Sequence, residues 1–389
     1  MPAATRFAFL SLGNLYLWEG QGEPRLWESP FAKEVLRRHE EIQKRHQWKT
    51  EGRGARFMMG GMAWEMPEEG GDGGQAPVIM SLSRGPREGE LMYALRVAGV
   101  HGICALDWAS LQEQRLVHAQ RSMPLELSGG PGREKVLCSL PASDGTAALG
   151  LMDADGGQIV ELTEGDSADG APSWDPRDED RVVFQSSGIG RNGRGEFVAY
   201  GPSAIQGLRL STGEMETLLA SERHDFIAPR LDPDGVLYCI RRPYASRHRT
   251  SFGAFLLDIL KAPFRLVGAV FQYLNHFSST YTGSPLISAR GGRRGADWRR
   301  LQMLANRMDA AGDAGRAGEP LVPKEWVLLR KGPGAEPEVV AENVLSFDLL
   351  EGGGLLYTTG TKVFARRPGA AWEPVLDHPG IQQVVALPS

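Results

Sequence analysis

Paired cysteines, a basic excess, long apolar runs and the short motifs of catalysis are all scarce or missing in this chain of 389 residues. Its three cysteines, Cys104, Cys138 and Cys239, stand alone in apolar or alternating runs, with no CxxC spacing. An odd, scattered set predicts buried thiols in a reducing compartment rather than a disulfide framework or metal ligands. Acidic residues (48) outnumber basic ones (43), for a net charge of -5. Without a dominant basic surface to neutralise phosphates, nucleic acid is not an expected partner. A membrane-spanning helix wants about 20 predominantly apolar residues, and every candidate stretch is interrupted by polar ones. The N-terminal "FAFLSLGNLYLWEG" is broken at Gly13-Asn14 and lacks the basic flank and small-residue cleavage site of a signal peptide. The expected location is therefore cytoplasmic.

Motifs of catalysis are absent too: no GxSxG, no HExxH and no GxxxxGK[ST] occurs. His39 and His46 miss zinc-protease spacing, and "GIGRNGRGE" follows a strand-like run, which makes it a hairpin loop rather than a phosphate cradle. No catalytic residue, cofactor or metal ligand is predicted.

Glycine, by contrast, is abundant: 49 residues, about 13% against a usual 7% or so. The glycines lie mostly between short apolar or alternating runs, such as "PVIMSLSRG", "ELMYALRVAG", "REKVLCSLP", "RVVFQSSG" and "GLLYTTGT". Strands of that length at that spacing predict an all-β sandwich, barrel or propeller. At the N-terminus two strands are expected, with Gly13-Asn14 turning between them.

Internal repetition selects among these folds. "APSWDPRDEDRVVFQSS" from 171 has a second copy, "APRLDPDGVLYCIRR", from 228, with Pro172 and Pro229 spaced by 57 (229 - 172). A strand–turn–strand element recurs as "LGLMDADGGQIVELTEG" at 149, "IQGLRLSTGEMETLLAS" at 205 and, more loosely, "TKVFARRPGAAWEPVLD" at 361. The two elements alternate, so one unit holds about four strands. Pro172, Trp174, Asp153, Gly156, Pro229, Asp232 and Gly235 are read as repeat scaffold: Trp174 as a core aromatic and the Asp and Gly residues as turn formers. The acids of "DPRDED" (Asp175, Asp178, Glu179, Asp180) are likewise read as a turn rather than a cation site.

Pro-Ser-Trp-x-Pro before an alternating strand, and Met-Asp-Ala-Asp-Gly before Leu-Thr, resemble the repeats of TolB-like (PD40-repeat) β-propellers. The clear motifs cover roughly 149–240; in the first copy the usual Ser-Pro-Asp-Gly turn has become Asp-Pro-Arg-Asp, and in the second Leu231 stands for the tryptophan. The resemblance implies a single β-propeller over 1–389, and counting units gives six blades, with five or seven as the alternatives. Its units would lie near 77–120, 123–165, 168–222, 225–340 and 345–377, with the sixth made from C- and N-terminal strands. It implies almost nothing about activity.

Two insertions break the repeat, at 29–75 and 245–322. In the first, Ser29 as N-cap and Pro30 at the first helical position predict a helix. Glu34–Arg38, Glu40–Lys44 and Glu41–Arg45 are i,i+4 pairs in the favourable order, and Phe31, Val35 and Ile42 form a narrow apolar strip. The Gly- and Met-rich stretch that follows reads as a loop with a small apolar plug, or as an anion site around Arg53 and Arg56.

The second insertion carries an amphipathic helix at 254–277. Phe255, Leu256, Ile259, Leu260, Phe264, Val267, Val270, Phe271 and Leu274 make its broad apolar face, and Lys261 and Arg265 belong to its polar stripe. That face has three destinations: the propeller wall, a protein partner, or a membrane interface. The expected function is a non-catalytic scaffold for protein–protein interaction in a cytoplasmic assembly, docking through 254–277. The alternatives are a channel-based small-ligand sensor or enzyme, and a peripheral membrane protein attached through the same segment.

Overall fold

The computed structural model describes residues 5–51, 76–119, 124–130, 132, 134–244 and 319–387. They form a mostly β structure in which short alternating runs become strands and Gly- and Asp-rich stretches become turns. The first set of strands is β1 (Phe7–Ser11), β2 (Asn14–Trp18) and β3 (Arg25–Trp27). Helix α1 (Pro30–Glu51) follows. The second set is β4 (Val78–Arg84), β5 (Glu90–Val97), β6 (Val100–Asp107) and β7 (Glu113–Ala119). The third is β8 (Leu125–Gly129), β9 (Lys135–Pro141), β10 (Ala147–Asp153) and β11 (Val160–Glu161).

The fourth set is β12 (Ser167–Asp175), β13 (Asp178–Arg191), β15 (Ala204–Arg209) and β16 (Met215–Leu219), with β14 (Phe197–Tyr200) added on β13. The fifth is β17 (His224–Leu231), β18 (Leu237–Pro243), β19 (Val327–Lys331) and β20 (Glu338–Ala341). The sixth is β21 (Ser346–Leu349), β22 (Leu355–Thr358), β23 (Lys362–Arg366) and β24 (Glu373–Asp377). Finally β25 (Ile381–Ala386) pairs antiparallel with β1, so strands from both ends of the chain share one four-stranded sheet.

Each set is an antiparallel meander. One parallel bridge, Ala147 to Ala168, links the third strand of the third set to the first strand of the fourth and shows that the two run the same way. The first strands, β25, β4, β8, β12, β17 and β21, contact one another in cyclic order. Side chains stitch neighbouring sets together. Gln383 accepts from Leu82 N–H (3.1 Å) and donates to Leu82 O (2.6 Å). Glu126 accepts from Ala171 N–H (2.8 Å), Gln185 from Ala228 N–H (3.0 Å) and Asp348 from Ala386 N–H (2.8 Å). Apolar clusters fill the space between sets; the one centred on Phe7, Phe9, Leu356 and Val384 seals the sheet made by the two chain ends. Burying such a Phe or Leu completely contributes about 1.5–3 kcal/mol.

The turn between β1 and β2 sits one residue earlier than the sequence predicts. Leu12 and Gly13 occupy it, both left-handed (φ 51° and 80°), and Asn14 pairs with Ser11. Two successive positive φ values give the twist that a tight hairpin needs.

Helix α1 begins as its capping residues predict: Ser29 Oγ accepts from Ala32 N–H at 3.1 Å. Glu113, on β7, accepts from Phe31 N–H at 2.8 Å. Phe31 lies over Gly102, where an added Cβ would stand 2.7 Å from the ring. Phe31, Val35 and Leu36 pack on the core and Ala32 is buried, whereas Ile42 is exposed. Of the predicted ion pairs Glu34–Arg38 forms at 2.6 Å, and Arg37 bridges Glu34 and Glu41.

Candidate functional site

The repeat residues lie in turns and core. Trp174 is buried among Leu137, Leu149, Val182 and Phe184, and its Nε1 donates to Ser128 O at 3.1 Å. Asp232 Oδ1 accepts from the N–H groups of Asp234 and Val236, both at 2.9 Å, closing the turn that contains Gly235. Asp175 pairs with Arg177 (3.1 Å) and Arg181 (3.3 Å). Burial pushes its carboxyl up, but the hydrogen bonds and charges of these arginines outweigh that and hold it below the usual carboxylate range. Gly156, left-handed at φ 92°, approaches the β7 backbone so closely that a Cβ would meet Leu116 O at 2.4 Å. Asp153 pairs with Lys135 at 2.5 Å. Pro172 and Pro229 follow left-handed Ala171 and Ala228 at bulges in β12 and β17, with Pro172 on the wall of the central cavity and Pro229 buried. The cysteines are buried and free, and burial pushes the Cys138 and Cys239 thiols up to about 12. At that value the thiol is a poor nucleophile at neutral pH.

The second-insertion residues, Phe255 to Leu274 with Lys261 and Arg265, lie outside the described residues, as do Arg53 and Arg56. The points where the chain leaves and returns, Tyr244 and Glu319, are described. Among the described residues no helix is long and apolar enough to cross a membrane, and no group of His, Cys, Asp or Glu is placed to hold a metal ion.

What brings polar side chains together is a cavity of about 2130 Å³ lined by the first strands of all six sets. One mouth is framed by second-to-third-strand connections. The glycine-rich "GIGRNGRGE" is there, as the tip of the β13–β14 hairpin, closed by Asn192 N–H to Glu196 O at 2.9 Å. Arg191 ties its base to Asp144 (3.0 Å) and Asp166 (2.8 Å). Tyr200 donates its hydroxyl to Gly145 O (2.8 Å), and Tyr244 donates to Tyr200 O (2.7 Å). Beside Tyr244, Arg242 pairs with Asp225 at 3.0 Å and lies over the Trp326 ring at 4.9 Å. On β12, Asp169 is buried where the third and fourth sets meet. Burial pushes its carboxyl above the usual range, although Ser186 Oγ donates to it at 2.7 Å.

Deeper in the cavity Arg84 pairs with Asp348 at 3.1 Å and donates to Leu349 O. Arg230 faces the same space, with one hydrogen bond, to Pro229 O at 2.8 Å. None of Arg84, Glu126, Arg230 and Asp348 stands out in a single sequence. A signal exists for Arg230: in the second repeat copy it takes the place of Ser173 (230 - 57), a charge in a strand otherwise built for the interior.

No family model matches the chain, and no curated protein matches it in sequence. Among solved structures, TolB from Acinetobacter baumannii matches over 99% of this chain and 66% of its own, with a TM-score of 0.50 and 11% identity. The chain thus spans just under two thirds of that protein. The nidogen–laminin complex matches over 98% of each chain (TM-score 0.49, 8% identity). A TolB-like protein from Agrobacterium tumefaciens matches over 63% of this chain and 68% of its own (TM-score 0.42, 15% identity). Likeness at these identities concerns the fold: the chain is structurally similar to TolB and other six-bladed β-propellers.

Proposed function

We propose that the six sets are the blades of a closed TolB-like propeller serving as a non-catalytic platform for protein partners, with one end of the ring as its working face. The observation that carries this reading is topological. In an antiparallel four-stranded set, the second-to-third connection and the link from the fourth strand to the next set lie at the same end. The link carrying α1 (28–77), the β13–β14 hairpin and the 245–318 segment are all connections of these two kinds. Loops on a rigid scaffold are where binding residues concentrate. The apolar segment 254–277, rooted at this end, is the docking element of the proposal.

The test compares the full chain with a deletion of 251–310 in affinity capture followed by quantitative mass spectrometry. Loss of the captured partners by about tenfold or more, a change of at least 1.4 kcal/mol in binding, with unchanged circular dichroism and melting, is the expected result. Equal recovery by a folded deletion protein contradicts the proposal.

A further inference from the structure

Arg230 lines the cavity, and its side chain makes a single hydrogen bond among the described residues. A guanidinium carries five N–H donors, and the single hydrogen bond to Pro229 O uses one of them. Among the described residues it has no ion-pair partner within 4.0 Å. The nearby carboxylates are engaged elsewhere: Asp348 with Arg84 and Ala386 N–H, and Glu126 with Ala171 N–H. Arg230 is half-buried on the cavity wall, and desolvation there pulls its pKa down, with Asp348 and Glu126 opposing and Arg84 reinforcing the shift. A cation so placed costs free energy unless an anion or water meets its donors.

We propose that Arg230 forms a subsite in the central cavity for a small organic monocarboxylate with an apolar body. The guanidinium fork matches the two oxygens of a carboxylate. Asp348 and Glu126 in the same region repel a second negative charge, so a doubly charged phosphate is disfavoured. Ile227, Leu345 and Leu349 line the same cavity, are only partly buried, and suit an apolar body. At about 2130 Å³ the space exceeds the roughly 300–1,000 Å³ of ordinary small-molecule pockets, so size does not exclude such a ligand. This subsite is independent of partner docking at the mouth.

The experiment is isothermal titration of the full chain with benzoate and octanoate, each beside its neutral amide, and with inorganic phosphate. Saturable binding of at least one acid is expected, about tenfold or more tighter than its amide, as loss of a charge-assisted hydrogen bond implies. Phosphate is expected to bind more weakly than that acid. Arg230→Gln is expected to abolish acid binding, and Arg230→Lys to retain part of it. No saturable binding by either acid overturns the subsite, as does equal affinity for acid and amide, tighter phosphate binding, or unchanged acid binding in a folded Arg230→Gln protein. The acid–amide comparison uses the unmodified protein, so it stands if the variants fail to fold.

Discussion

The two ends of the ring differ. At one end the chain makes tight, side-chain-locked turns: Asp175 with Arg177 and Arg181, Asp232 with the N–H groups of Asp234 and Val236, and Gly156 against Leu116 O. At the other end the same scaffold sends out α1, the β13–β14 hairpin and the segment between Tyr244 and Glu319. Residues that look chemically rich in the sequence, the acids of "DPRDED" and "MDADGG", belong to the first end, where Asp175, Asp178 and Asp180 pair with arginines and Asp153 pairs with Lys135. Acid-rich stretches in a repeat are therefore poor guides to function when each acid closes a turn.

Strand β12 spans both regimes, so it offers a way to sharpen the contrast. Trp174 lies toward its turn end and Asp169 toward its elaborated end. The larger effect belongs to Trp174→Ala, which removes a buried indole and its bond to Ser128 O. A destabilisation of about 3–5 kcal/mol is expected, measured by denaturant unfolding, with partner capture by the folded fraction unchanged. Weakened capture by that folded fraction would break the assignment of Trp174 to scaffold.

Asp169→Asn should have a smaller effect, visible in pH dependence. The folded state raises the Asp169 pKa, so its carboxyl contributes most to stability below the unfolded value near 3.9. That contribution declines as pH rises through the window between the unfolded and the raised folded value. The stability of wild type relative to the asparagine variant should therefore fall as pH rises from about 3 toward neutrality. A difference that is flat over that range would mean Asp169 ionises freely in the fold.

The all-β character and the strand sets were legible because alternation, turn residues and repetition agree in direction. Pro172 and Pro229 mark equivalent strands, and the expected unit spans match the observed strand sets closely. Ser29 and Pro30 announce α1 because capping is local chemistry. The cavity was not legible: Arg84, Glu126, Arg230 and Asp348 come from four strands far apart in sequence, and only ring closure brings them together. The Leu12–Gly13 turn was misplaced by one residue because Gly-Asn and Leu-Gly differ little as turn signals, and strand register decides between them.

The central claim is that one end of the ring is the working face. Hydrogen–deuterium exchange of the full chain, alone and bound to a captured partner, tests it most directly. Protection is predicted at 191–200, 241–244 and 319–326, with exchange at 153–156, 175–178 and 232–235 unchanged. Protection confined to those three turns, with the hairpin and the roots of the 245–318 segment exchanging as in the free protein, would contradict the account.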